Sequence, residues 1–218
     1  MKSTRREFAR VIRVLLIIET RGELYMDYHF FAMMSRMKYI ERWSLMRNSV
    51  RENISEHSLA VSMIAHALAV IGRKRFQKNL NCEKAAVIAL YHDSTEIITG
   101  DMPTPIKYYN RSIKEAFQAI EENAANQLLS MLPEDIRKEY ESIFFCKEEE
   151  AYLWKLVKAA DKISALIKCM EEGKAGNQEF IRAKASIEES LNKMQIEEVE
   201  VFMKEFLPSY EKTLDELN

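Results

Sequence analysis

The sequence predicts an all-α fold, and three observations carry that prediction. Glycine and proline are scarce (5 and 4 of 218 residues) while methionine is plentiful (12), a balance that suits long helices better than strands joined by tight turns. Apolar residues recur three and four apart through most of the chain, the spacing of one helix face. Hydrophobic residues make up 47% and charged residues 30%, enough for one sizeable core under a solvated surface. No repeat, low-complexity tract or linker divides the chain, so the expectation is a single domain over residues 26–218 preceded by an extension, residues 1–25.

Charge and cysteine usage narrow the class. A net charge of -2 gives no general pull toward a nucleic acid polymer or a membrane. Cys82, Cys146 and Cys169 are odd in number, widely spaced and free of any CxxC pair, which suits free thiols in a reducing cytoplasm. No unbroken apolar run approaches bilayer length. Near the start, Arg13 interrupts the apolar stretch that continues through Val14, Leu15, Leu16, Ile17 and Ile18, and this argues against a signal peptide.

Taken in order, Phe8, Val11, Ile12, Leu15, Leu16 and Ile18 suit a short amphipathic helix ended by Gly22, and Met26 is a candidate alternative start. Phe30, Phe31, Met33, Met34, Met37 and Ile40 form a core stripe on the next helix. Arg42-Trp43 follows at a helix end. It is either a solvated arginine beside a half-buried indole, or a guanidinium for phosphate beside a face for a ring. Asn53 or Ser55 caps the following helix, with Glu56 or Ser58 in its first turn. On that helix His57 heads the stripe Val61, Ile64, Leu68 and Ile71, and His66 shares a second stripe with Leu59, Met63 and Val70, both read as core-facing. Gly72 to Asn81 reads as a basic connection whose charges solvate a loop.

Asn81 caps a helix through Ala85, Ala86, Ile88, Ala89 and Leu90 into Tyr91-His92-Asp93-Ser94-Thr95-Glu96, stopped at Gly100. With helical spacing His92 and Glu96 share a face. Asp101-Met102-Pro103-Thr104-Pro105-Ile106-Lys107 then reads as non-helical, a rigid wall directly after the His/Asp/Glu cluster. Helices are expected from Lys114 to Leu132, after Pro133 through Tyr140 and Phe144, and from Ala151 to Met170, with Gly173 and Gly176 breaking the last. One or two more span residues 178–217, with Pro208 as a break and Val201, Phe202 and Phe206 facing inward.

The misfits carry the chemistry. His57 sits on one apolar helix, His92-Asp93 ends another, and Asp161 lies within the apolar face of a third. An Asp there is costly unless it pairs with Lys158 or Lys162, or binds a metal. Together the four supply two imidazoles and two carboxylates, a donor set suited to one octahedral divalent cation. Co²⁺ or Mn²⁺ lead, with Fe²⁺, Ni²⁺, Mg²⁺ or Zn²⁺ as alternatives.

The order His57, His92-Asp93, Asp161, with spacings of 35 and 68 residues, resembles the HD-domain metal-dependent phosphohydrolases. The segments Glu41-Arg42-Trp43, Asn53-Ile54-Ser55-Glu56-His57-Ser58, Tyr91 to Glu96 and Gly100 to Lys107 resemble the YfbR-like 5′-deoxynucleotidases within that superfamily, from about Tyr28 to near the C-terminus. The resemblance implies a single-domain HD-domain helical bundle. It implies hydrolysis of deoxyribonucleoside 5′-monophosphates to nucleoside and phosphate by a metal-dependent homodimer. His57, His92, Asp93 and Asp161 would hold the metal, and His57, Asp93 and Asp161 would also meet the substrate. Arg42 would orient the phosphate, Trp43 would pack on the nucleoside, Glu96 would act in catalysis, and Asp101, Met102, Pro103 and Thr104 would line the sugar side. Two alternatives stand beside this: an HD phosphohydrolase for a triphosphate or cyclic nucleotide, with Lys107 and Arg47 as the extra cations, and a non-catalytic nucleotide-binding regulator.

Overall fold

The structure is a computed structural model that describes residues 27–107 and 109–217. The expected helix from Phe8 to Ile18 and the alternative start at Met26 lie outside the described residues. Among the described residues the chain is helical, with no strand and one isolated antiparallel bridge between Glu41 and Asn53. The α-helices are α1 (Phe30–Met34), α2 (Ile54–Arg75), α3 (Cys82–Tyr91), α4 (Glu96–Thr99), α5 (Thr104–Lys107), α6 (Arg111–Leu129), α7 (Glu134–Phe144), α8 (Ala151–Lys174), α9 (Ile181–Met194) and α10 (Glu197–Glu205). Short 3₁₀ turns fill several of the joints.

The core is built on α2, α3 and α8, which pack on one another. Asn53 starts α2 with a full capping box: its side chain accepts from the Ser55 and Glu56 amides, and the Glu56 carboxylate accepts from the Asn53 amide. Such a cap is worth about 1 kcal/mol and fixes where His57 enters the helix. His57, Val61, Ile64, Leu68 and Ile71 are all buried, as the spacing predicts. The four apolar members belong with Ala85, Ile88 and Ala89 of α3 and Leu156, Ala160 and Ile163 of α8. A second cluster gathers Phe30 with Leu128, Leu129 and Leu132, ringed by Tyr91, Tyr140 and Phe144.

Several expectations change. Helix α2 runs through Gly72 to Arg75 instead of ending there. A Cβ on Gly72 would lie 2.5 Å from Glu198 Oε1 and 2.6 Å from Leu80 Cδ1, so this glycine serves close approach of α10 rather than chain reversal. Lys78 does not solvate a loop either; its ammonium lies 2.8 Å from both the Tyr152 hydroxyl and the buried Glu198 carboxylate. The face of α2 carrying Leu59, Met63 and His66 is exposed, not core. By length (22 residues) and mean hydropathy (1.5) α2 is long and apolar enough to cross a membrane, with half of its apolar window buried inside the protein. A search for unbroken apolar runs misses it because Ser58, Ser62 and His66 interrupt the count. Phe31 and Phe206 are 58% and 44% exposed, so neither joins the core, although Phe202 does.

The two elements around the cluster also differ. The helix expected to run to Gly100 stops at Tyr91, and residues 92–95 form a tight turn before α4. There the amides of Ser94, Glu96 and Ile97 reach back three residues, to Tyr91, Asp93 and Ser94, rather than four. The Pro-rich wall is not wholly extended, because Thr104–Lys107 forms one turn of helix with Pro105 inside its first turn, where its missing donor costs little. Gly173 lies within α8, and the chain turns afterwards at Gly176, at φ +80°.

Candidate functional site

Three helices deliver the cluster. The α2 cap sets His57 at the buried end of its stripe, the turn after α3 carries His92 and Asp93, and α8 presents Asp161 from the facing side. His57 Nε2 stands 3.1 Å from Asp161 Oδ1 and 3.5 Å from Asp93 Oδ2, while His92 Nε2 stands 3.2 Å from Asp93 Oδ1. Ligand atoms of His57, His92 and Asp93 all lie within 4.8 Å of one another. Asp161 pairs with His57 rather than with Lys158 or Lys162. It is the most open of the four, with 41% of its side chain exposed.

The imidazoles are oriented from behind. His92 Nδ1 lies 2.7 Å from the Ala89 carbonyl, which can only accept, so Nδ1 carries a hydrogen and Nε2 faces the cluster. Ser164 Oγ lies 3.2 Å from His57 Nδ1. Buried His92 Nε2 makes no hydrogen bond despite its nearness to Asp93, and Glu96 Oε2 is likewise buried without a partner. An unpartnered imidazole nitrogen beside two carboxylates and a second imidazole fits a divalent cation. The residues present therefore suit the cation that the sequence predicts.

The electrostatics divide the carboxylates. Burial works to raise Asp93, but His92, His57 and Arg42 outweigh it and hold its carboxyl below the usual range. Asp161, though partly open to solvent, is also held below its usual range against the burial of its inner side, chiefly by His57. Burial would lower His92, but Asp93 and Asp161 leave it raised, a field that equally favours a cation. Glu96 goes the other way. Burial, then the charges of Asp93 and Asp101, push its carboxyl up to about 9 against Arg42 and Lys107. Burial also raises Asp101, although Arg42 opposes it.

A cavity of about 640 Å³ opens beside the cluster. Arg42, Trp43, Asp101, Met102, Pro103 and Thr104 line it, as do Leu45, Met46 and the α9 residues Arg182 and Ile187. Arg42 joins the two halves: it lines the cavity, its Nη1 donates to Asp93 at 3.1 Å and its Nε donates to Glu52 at 3.2 Å. Trp43 Nε1 donates to the same Glu52 oxygen at 3.0 Å. Trp43 holds φ at +57°, a left-handed backbone unusual for a bulky side chain.

The profile of the YfbR-like 5′-deoxynucleotidases matches residues 29–210. The chain belongs to this family. It is 48% identical over 193 residues to a 5′-deoxynucleotidase of Pectobacterium atrosepticum, covering 87% of this chain and 96% of that one. In three dimensions it is similar to an HD-domain phosphohydrolase of Listeria innocua, with a TM-score of 0.73 and 23% identity over 84% of this chain and 88% of that one. A cyanophage S-2L HD phosphohydrolase bound to dA and one catalytic Zn²⁺ superposes with a TM-score of 0.57 and 21% identity, over 84% and 96% of the two chains. Both likenesses show the HD-domain phosphohydrolase fold.

In this YfbR-like chain every predicted site residue falls in one of two adjoining places. His57, His92, Asp93 and Asp161 form the cluster, with Glu96 within its electrostatic reach; Arg42, Trp43 and Asp101 to Thr104 line the cavity. The sequence reading missed Glu52, which holds both Arg42 and Trp43 and lies 4.0 Å from His57 Nδ1. Its signal was a carboxylate directly before the Asn53 cap, in a segment that must turn back past Arg42. It also missed Ser164, one turn from Asp161 on α8, and the α9 wall, which no local motif marks.

Proposed function

We infer that this hydrolase removes phosphate from deoxyribonucleoside 5′-monophosphates, using one divalent cation held by His57, His92, Asp93 and Asp161, with Co²⁺ or Mn²⁺ preferred. The observation that carries the reading is Arg42, which bonds Asp93 of the cation cluster while lining the cavity beside Trp43. When bound, the cation supplies Lewis acidity toward a phosphoryl oxygen. Arg42 keeps N–H donors beyond those used on Asp93 and Glu52, and these orient the phosphate. Trp43 packs on the nucleoside, which tolerates any base. Asp101 accepts the 3′-hydroxyl, and the Met102-Pro103 wall crowds a 2′-hydroxyl. Water attacks phosphorus as the P–O5′ bond breaks. Glu96, whose carboxyl is raised in the metal-free protein by burial and by Asp93 and Asp101, passes a proton to the departing 5′ oxygen and regains one from that water.

Of the two cations weighed for a triphosphate, Lys107 is engaged, its Nζ bonding Glu121 at 2.6 Å, while Arg47 is largely exposed, 3.9 Å from Glu179; Arg182 also lines the cavity. A phosphate-release panel tests the reading: deoxy and ribo 5′-, 3′- and 2′-monophosphates and dATP, each with Mg²⁺, Mn²⁺, Co²⁺ or Zn²⁺. We expect 2′-deoxy 5′-monophosphates to lead with Co²⁺ or Mn²⁺; a preference for dATP overturns the assignment.

A homodimer belongs to the same proposal. Support comes from exposed apolar side chains on two core helices, Leu59 and Met63 of α2 and Val87 and Leu90 of α3. Light scattering should give twice the chain mass of 25.5 kDa, and Met63→Glu should return it to one.

A further inference from the structure

The cavity wall that carries Trp43 has almost no apolar anchor of its own. In the segment after it, Leu45 and Val50 are 75% and 71% exposed. What holds this segment is a buried polar cluster at the far end of α8. Lys168 and Glu172, 5% and 1% exposed at their side chains, pair at 2.6 Å. Glu172 accepts the Ser49 amide at 2.8 Å and the Val50 amide at 3.3 Å, and Lys168 Nζ donates to the Val50 carbonyl. Asn177 donates to the Arg47 carbonyl at 2.6 Å and to Glu172 at 2.7 Å. Its own side-chain oxygen accepts the Glu179 amide, starting the turn Gln178–Phe180.

That turn closes the circuit. Glu179 accepts the Arg47 amide at 2.7 Å. The buried Phe180 ring lies 5.2 Å from the Trp43 ring on one side and 5.9 Å from Lys168 Nζ on the other. Burial would raise Glu172, but Lys168, Ser49 and Asn177 hold its carboxyl at about 2. A left-handed Trp43 persists only if its surroundings over-determine it, at a cost of about 1–3 kcal/mol. Here Asn48 secures its carbonyl, and the cluster secures the segment that Asn48 belongs to.

We propose that Lys168, Glu172 and Asn177 are positioning residues for nucleoside binding: they dock residues 46–50 and 177–180 together so that Trp43 is set against the base while the cation cluster, which shares α8 only through Asp161, stays untouched. The proposal rests on the nucleotidase reading above, because it needs a nucleoside in the cavity. Two variants test it. Asn177→Ala removes the joint without unpairing a charge. Lys168→Met with Glu172→Leu replaces the ion pair by apolar groups of similar size.

For each variant, KM and kcat for dAMP, competitive inhibition by inorganic phosphate, and bound metal by elemental analysis are measured beside wild type. We expect the dAMP KM to rise about tenfold, the effect of one buried hydrogen-bond partner left unpaired. The phosphate inhibition constant, kcat and metal content should stay within about twofold, inside the usual noise of surface-like changes. Asn177→Asp, which keeps the acceptor but sets a carboxylate beside Glu172, should not restore KM, while Asn177→Gln should restore part of it. An unchanged dAMP KM in Asn177→Ala, or equal loss of dAMP and phosphate binding, overturns the proposal. If the double variant fails to fold, Asn177→Ala alone decides. A wild-type protein inert toward dAMP would refute the nucleotidase reading instead, a separate result.

Discussion

Helix α8 carries two buried polar clusters, about 16 Å apart along its axis at 1.5 Å per residue, and they are built in opposite ways. At Glu172 the charges are matched: the carboxylate takes Lys168, Asn177 and two backbone amides, although the neutral Asn48 Oδ1 nearby has no partner. At Asp161 the pairing is incomplete. His92 Nε2 and Glu96 Oε2 are buried without a hydrogen bond, and carboxylates crowd imidazoles that already use their other nitrogens. Buried polar groups in folded proteins are nearly always satisfied. The charge-balanced Glu172 cluster is therefore architecture, whereas at Asp161 an imidazole nitrogen without a hydrogen bond sits among carboxylates, an arrangement that a divalent cation satisfies. The contrast separates the residues that hold the site from those that react in it.

The largest expected effect tests the unsaturated end. Asp161→Ala should lose bound metal, and turnover should fall by more than the ~10–100-fold that follows loss of an outer partner. Elemental analysis and phosphate release measure both. Full metal occupancy in the variant would make the Asp161–His57 pair structural and erase the difference between the two ends.

Glu96→Gln comes next. Loss of a general acid should lower kcat by about 10²–10⁴-fold while metal content is retained; activity that survives would remove Glu96 from the proton path. The same variant has a stability signature in the metal-free protein. Burial and the nearby Asp93 and Asp101 raise the Glu96 carboxyl from 4.5 to about 9. A raised folded-state pKa means stability that is full below pH about 4.5 and is lost as pH rises toward 9, by at most about 1.4 kcal/mol per pH unit. Glu96→Gln should flatten that slope in denaturant titrations from pH 5 to 9. An identical slope in both proteins would show that Glu96 is not the group being strained.

At the saturated end the expectation inverts. Lys168→Met alone strands the Glu172 carboxylate and should cost about 3–5 kcal/mol, whereas adding Glu172→Leu should recover most of it. Chemical denaturation distinguishes the two. If the single and double variants are equally unstable, the pair contributes packing and not charge balance.

How much of this was legible in the sequence follows from the range of each interaction. The α2 and α8 stripes and the Asn53 cap are written in local spacing; they bury His57 and bring the partly open Asp161 to within 3.1 Å of it. The cluster was legible because four costly side chains on three apolar helices share one explanation. The break after Tyr91 was not, because the amide bonds of residues 94–97 tighten in a run where no residue forbids a helix. Gly72 misled for a related reason: its lack of a side chain serves Glu198, which is distant in sequence. Glu52 and Glu172 were invisible for the same cause. Each acts on backbone or side chains brought to it by the fold, and a lone glutamate in a charged segment carries no mark of that.

The smallest prediction concerns the residue tied to both ends. Trp43 reaches the reactive end through Glu52 and the saturated end through Phe180 and Asn48. Trp43→Phe cuts only the first link, because a phenyl ring can still pack on Phe180 while the Nε1 donor is gone. Glu52 keeps Arg42 Nε at 3.2 Å, so its carboxylate is not left unpaired. The loss should then be that of one satisfied hydrogen bond, about 1 kcal/mol, read as roughly a fivefold rise in dAMP KM with kcat unchanged. A fall in kcat instead would mean that the indole steadies Glu52 and, through it, Arg42 on the phosphate. Trp43 would then belong to the reacting end of α8 rather than to the wall that the other end holds in place.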